Sequence, residues 1–272
     1  MKRIKEFIKS LWNVLRLPEM LILPGNLAFY LILSLPPIIS LFGIISSFFN
    51  LSTESISSFV GNIIPREVVE ILSSFSNGSG LETANIIFVI TGFYIASNGS
   101  DSLIVASNTL YKKENKNYVF RRIKAIFMTF WLILLFIIVL VFMAFGSFIL
   151  TKLLSFTVLG SFIINNYFII TLLKILLSFI ITFMTIKILY TMAPDTKIKS
   201  HYVNYGAFFS TVAIMLVTGI YSFYVTNFAH YDVLYGSLAN IAILMLLIYF
   251  ISYIIVLGIA INHNYYKLDL NK

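Results

Sequence analysis

This sequence predicts an all-α, polytopic membrane helical bundle of six transmembrane helices, with an N-terminal amphipathic interfacial helix. Three observations carry the prediction. The chain is 59% hydrophobic and 11% charged over 272 residues, with mean hydropathy +0.94, whereas a soluble domain runs near 25% charged. Its apolar residues fall in stretches long enough to cross about 30 Å of hydrocarbon as helix. Its basic residues gather on alternate connections between those stretches. There is no cysteine, which excludes disulfides, thiolate metal sites and cysteine nucleophiles. The whole chain, 1–272, reads as a single membrane domain.

Residues 1–20 place Ile4, Phe7, Ile8, Leu11 and Leu15 at helical spacing, with Lys2, Arg3, Lys5, Lys9 and Arg16 on other faces. That is the pattern of a helix lying in the interface, Trp12 at headgroup depth, and Pro18 ends it. It reads as an orienting anchor, with recognition of anionic lipid as the alternative. No cleavable signal peptide is evident.

The first span, 27–49, has no charge but carries Pro36 and Pro37 side by side. Proline removes a backbone donor and clashes with the preceding turn, so a bend or break is expected there. Carbonyls freed inside lipid need neighbouring helices, hydroxyls such as Ser34, or a wet cavity. Residues 50–83 form a polar segment, with a short helix expected after Pro65. The second span, 84–111, is the least apolar, holding Ser97, Asn98, Gly99, Ser100, Asp101, Ser102, Ser107 and Asn108. A hydropathy scan is prone to miss it, and such a helix is stable only when enclosed by others.

The third span, 125–150, is almost wholly apolar, as suits a lipid-facing helix. The fourth, 166–192, contains Lys174 and Lys187, and the fifth and sixth are 205–228 and 236–262. Orientation follows from the basic residues. The N-terminus, residues 112–124, residues 193–204 and the tail hold fifteen Lys and Arg, and the opposite loops hold two, Arg66 and Lys152. Both termini are therefore expected in the cytoplasm. The same count accounts for the net charge of +8 without nucleic acid as a partner.

Asp101 is the sharpest single residue, because an ionised carboxylate within a span is costly unless paired or wetted. Ser97 and Asn108 lie on nearly the same helical face, and the three are candidates to line a polar track beside Ser34, Pro36 and Pro37. Structural capping or pairing is the competing reading. Lys187 lies at similar depth to Asp101 and is a candidate partner. Gly206, Gly219 and Gly258 are expected to permit close helix contact. Tyr249 and Tyr253, four residues apart, fit core packing or a shared cavity wall. No metal site is expected, since His201, His230 and His263 lie on different segments. No nucleotide loop or Ser/His/Asp arrangement is found, so neither a cofactor nor an enzymatic activity is expected.

Several short motifs carry a resemblance. Ala28-Phe29-Tyr30 followed by Ser34-Leu35-Pro36, Ser107-Asn108-Thr109-Leu110-Tyr111, Leu189-Tyr190 with Pro194, Gly206-Ala207, Tyr235-Gly236-Ser237-Leu238, and Leu257-Gly258 with Asn262 together resemble the YihY/virulence factor BrkB family, once mislabelled as ribonuclease BN. The likeness covers nearly the whole chain. It departs from the family where Thr191 replaces a common arginine and where no acid stands near the end of the last span. The resemblance implies a six-helix bacterial inner-membrane protein, with export or lipid translocation as the activity usually suggested. Membrane lipids and a lipid-like or small-molecule substrate are then the expected partners. A non-transporting scaffold for envelope assembly, or less readily a membrane ribonuclease, are the alternatives.

Overall fold

The protein is described by a computed structural model covering residues 12, 15–16, 18–48, 83–133, 167–196, 198–228 and 237–270. It is an all-α membrane bundle, with no strand among the described residues. The expectations for residues 50–82, for the second half of the third span, for most of the interfacial helix and for Tyr235 and Gly236 lie outside these residues. So do the side chains of Pro36, Pro37, Lys174 and Ser237.

Helix α1 is Glu19–Phe48. Pro18 precedes it, its carbonyl accepting from the Leu21 N–H at 3.0 Å. Met20, Leu23, Leu27 and Ala28 are buried, while Leu21, Ile22, Phe29 and Leu33 are exposed, so one stripe at helical spacing faces the bundle. The break expected at Pro36-Pro37 does not occur, and helical backbone runs through both prolines to Phe48. Each proline lacks the N–H for one helical bond and crowds the preceding turn, but inside lipid no water competes for the bonds that remain. One turn earlier, Ser34 Oγ donates to the Leu31 carbonyl at 2.7 Å.

Helix α2 is Thr83–Leu110. It packs along α1, and from Ala96 to Leu110 most of its side chains are buried, including Ser97, Ser100, Ser102, Ser107 and Asn108. It is thus enclosed, as its polarity requires. The helix ends where Lys112 adopts φ 53°, with the Lys113 N–H bonded to the Asn108 carbonyl at 2.8 Å. This left-handed stop folds the last carbonyls inward and turns the chain sharply. Helix α3 follows at residues 118–133, beginning seven residues before the apolar span.

Helices α4, Tyr167–Met192, α5, Asn204–Phe228, and α6, Ser237–Leu270, complete the described bundle. A short 3₁₀ turn, Ser200–Val203, leads into α5. By length and composition α4, α5 and α6 are apolar enough to cross a membrane, and α2 is not among the helices that meet that standard. Only 11% of Ile175–Met192 is buried within the protein, so α4 is peripheral to the described bundle. Helix α6 packs against α1 and α5. One apolar core joins Met20, Leu23 and Leu27 of α1, Leu103, Ile104 and Leu110 of α2, Met128 of α3, Tyr190 of α4, Ala207 of α5, and Val256 and Ile259 of α6. A second joins Ala28 to Tyr221, Leu244, Leu247 and Ile248. Helix α6 continues two turns past its expected end because His263 meets Tyr111 with ring centroids 5.3 Å apart, Tyr265 meets Tyr205 at 4.3 Å and Tyr266 meets Tyr202 at 5.3 Å.

Candidate functional site: polar helix crossings at one end of the bundle

Tyr94, Asn98 and Asp101 recur at i, i+4 and i+7, which puts them on one stripe of α2. That stripe faces the start of α3. Asp101 Oδ1 accepts a charge-assisted bond from Arg121 Nε at 2.7 Å. Arg122 Nη1 donates to Asn98 Oδ1, and Nη2 donates to the Tyr94 carbonyl at 2.9 Å. Its guanidinium carbon lies 3.9 Å from the centroid of the Tyr94 ring, within cation–π range. On the neighbouring face Ser100 Oγ and Thr129 Oγ1 are 2.7 Å apart, and Thr129 Oγ1 also donates to the Ala125 carbonyl.

A second crossing lies at the end of α2. Asn108 Nδ2 donates to Asp195 Oδ2 at 2.7 Å and to Asn115 Oδ1 at 2.9 Å, while Asn108 Oδ1 accepts the Asp195 N–H at 2.9 Å. Lys124 Nζ donates to Asp195 Oδ1 at 2.7 Å and to the carbonyls of Ala193 and Pro194. One lysine and one asparagine therefore tie the α4–α5 connection to both α2 and α3. Burial alone would raise the Asp195 carboxyl, but the bonds from Lys124 and Asn108, with the lysine charge, hold it below the usual aspartate value. Burial depresses Lys124, and its bond to Asp195 offsets part of that.

The third crossing joins α4, α5 and α6. Tyr190 Oη lies 2.7 Å from Ser210 Oγ and donates to the Ile255 carbonyl at 2.8 Å. The Gly206 N–H stands in the first turn of α5, where no intrahelical acceptor exists. Asn262 Oδ1 of α6 accepts it at 2.7 Å, capping α5 from another helix. A side chain at Gly206 would overlap the Gly258 carbonyl and Asn262, and one at Gly258 would overlap Tyr190 and Ser210. Tyr190, Gly206, Gly258 and Asn262, scattered over 73 positions from first to last, thus meet at this crossing, and Pro194 lies in the connection that Lys124 holds.

The polar residues expected to line a passage between the first two spans are distributed otherwise. The contact of α1 with α2 includes apolar packing, with Leu31 set on Gly99. The polar groups Asn98 and Asp101 face α3, Asn108 faces the α4–α5 connection, and Ser34 and Ser97 bond carbonyls of their own helices. Lys187 does not pair with Asp101; its Nζ lies 5.9 Å from the Phe183 ring, since Arg121 already holds the carboxylate. Gly206 and Gly258 permit close approach, but a side chain at Gly219 would meet nothing within 4 Å, so that glycine faces open space. The rings of Tyr249 and Tyr253 are neighbours, 6.4 Å apart.

Arg121, Arg122 and Lys124, which lie in the basic stretch 112–124 that sets orientation, and Asp195 are site residues that no sequence motif marks. A signal for them existed. Asp195 is the only acid between Glu114 and Asp232, and a chain so poor in carboxylates has few ways to pair its buried cations. Among the described residues no three His, Cys, Asp or Glu side chains group as metal ligands.

Helices of this length and composition, joined through polar crossings, define a multi-pass α-helical membrane protein. The family model for virulence factor BrkB matches residues 19–269, and the chain belongs to that family. It is 26% identical to the ribonuclease-like protein YfkH of Bacillus subtilis (strain 168), over 94% of each chain. It is also 26% identical to a UPF0761 membrane protein of Aeromonas salmonicida (strain A449), over 93% of this chain and 86% of that one. A UPF0761 membrane protein of Alteromonas mediterranea is 39% identical over 26% of this chain and 24% of its own. No solved structure matches.

Proposed function

We propose that the protein is a transporter or lipid flippase of the bacterial inner membrane, moving a lipid-like or small amphipathic substrate along α2. Both termini lie in the cytoplasm, on the argument of fifteen basic residues against two. The observation that carries the reading is the polar stripe of α2, which places a carboxylate, an amide and two guanidinium groups within a helix pair that has lipid-exposed neighbours. Tyr94 and Ile90 are exposed beside it. Buried ionisable groups on membrane helices are where transporters place their sites. The seam runs between α2 and α3, so the path follows that pair and not α1 with α2.

Reconstitution in liposomes tests this reading. Wild-type protein is expected to accelerate lipid scrambling or solute flux, and Asp101→Asn to change the rate. Vesicles in which neither protein alters lipid or solute distribution would reject it. They would favour a scaffold, a reading supported by the mutual pairing of Asp101 with Arg121 and Asn108 with Asp195. The name of the Bacillus relative raises a ribonuclease activity, which RNA cleavage by protein free of contaminating nuclease would establish.

A further inference from the structure

Among the described residues, the seam between α2 and α3 contains one positive charge more than its pairing accounts for. Arg122 is only 8% exposed. Two of its five N–H groups are used, and both acceptors are neutral: the Asn98 side-chain oxygen and the Tyr94 carbonyl. Its Nε is buried and has no partner among the described residues. The carboxylate beside it, Asp101, is engaged by Arg121. Among the described residues two guanidinium groups therefore share one carboxylate. Arginine does not shed its proton in proteins, and a buried charge without a counterion is costly. Among the described residues no second carboxylate supplies the balancing negative charge.

We propose that Arg122, with Arg121, Asn98 and the Tyr94 ring, forms a binding site for a phosphate-type anion. The guanidinium fork matches phosphate oxygens in two-point geometry. Asn98 and Tyr94 hold the plane of Arg122 in place, leaving the unused Nη N–H groups as donors, while Nε lies buried and, among the described residues, unpartnered. The surroundings place the site at headgroup depth. Tyr118, Phe120 and Ile123 on α3 are exposed apolar or aromatic side chains, and Lys113 and Lys116 stand exposed in the connection just before them. A membrane interface orders aromatic and basic residues in this way. The site stands whether or not the bound species is moved, so it is separable from the transport reading.

Calorimetric titration of the purified full-length protein in a neutral detergent tests it. The probes are short-chain phosphatidylglycerol, short-chain phosphatidylcholine and inorganic phosphate. Phosphatidylglycerol is expected to bind, phosphatidylcholine to bind at least about tenfold more weakly, and Arg122→Gln to weaken phosphatidylglycerol about tenfold or more. Asp101→Asn frees Arg121 and is expected to tighten binding several-fold, the reverse of what structural damage produces. Displacement of the lipid by inorganic phosphate at similar concentration would assign the site to free phosphates, and resistance to displacement would assign it to headgroups. Absence of binding by both anions overturns the proposal, as does binding that neither substitution alters. If Arg122→Gln does not fold, Asp101→Asn decides alone: unchanged or weaker binding rejects the site.

Discussion

Where α5 crosses α6, the polar groups are neutral, and Asn262 Oδ1 and Tyr190 Oη are paired across helices; where α2 runs beside α3, they are charged and, among the described residues, incompletely balanced. At the first crossing Gly206 and Gly258 let two backbones approach until an asparagine caps a helix end and a tyrosine bonds a carbonyl. At the second, Arg122 is buried against neutral acceptors while Arg121 takes the only carboxylate described there. The difference teaches that buried polarity in this family member serves two ends. Neutral, steric closure specifies how helices pack. A retained charge stores electrostatic energy that an incoming group can release.

The comparison breaks most sharply at Gly206→Ala. The new methyl group meets a backbone carbonyl, which cannot rotate aside as a side chain would, so α5 and α6 must separate. Overpacking of this kind costs about 1–3 kcal/mol or more. Loss of the monodisperse peak in size-exclusion chromatography, or a large fall in apparent Tm, is the expected result. An unchanged Tm would show that the two helices do not cross here.

Asp195→Asn is expected to have the next largest effect, about 1–3 kcal/mol at neutral pH, because Lys124 is left half-buried without its carboxylate. The sign of its pH dependence follows from the lowered Asp195 value. A carboxyl held below its unfolded value, near 4, contributes stability that is complete above that value. The contribution is lost as pH falls through the lower folded value. Apparent Tm of wild type and variant should therefore differ at pH 7 and converge as the medium is acidified below about 4.

Asp101→Asn should change stability by no more than about 1 kcal/mol, since the side chains of Arg121 and Asp101 are 21% and 19% exposed. A small stability effect beside a clear change in anion binding or flux would sharpen the contrast between a packing crossing and a working one. The smallest effect is expected at Gly219→Ala. With open space around that position and a better helix former in place of glycine, apparent Tm should stay level or rise slightly. A fall comparable to that of Gly206→Ala would mean that glycine content, and not close contact, sets stability.

Length and hydropathy along the chain were enough to mark an all-α membrane bundle, because about twenty consecutive apolar residues have few other places to go, and three helices meet that standard among the described residues. Composition also marked α2 as enclosed: a helix with four serines, two asparagines and an aspartate between Ser97 and Asn108 cannot face acyl chains. Short motifs were enough for the family resemblance. What the chain could not reveal was which neighbour each polar group meets, since a helix's own periodicity says which residues share a face and nothing about what lies opposite. Packing turned α2's polar stripe toward α3 instead of α1 and gave Asp101 to Arg121 instead of Lys187. It also carried α6 two turns beyond its apolar stretch and kept α1 helical through two prolines. Those outcomes depend on contacts between residues far apart in the chain, 87 positions for Asn108 and Asp195 and more for Tyr111 and His263, and such contacts exist only once the helices are assembled.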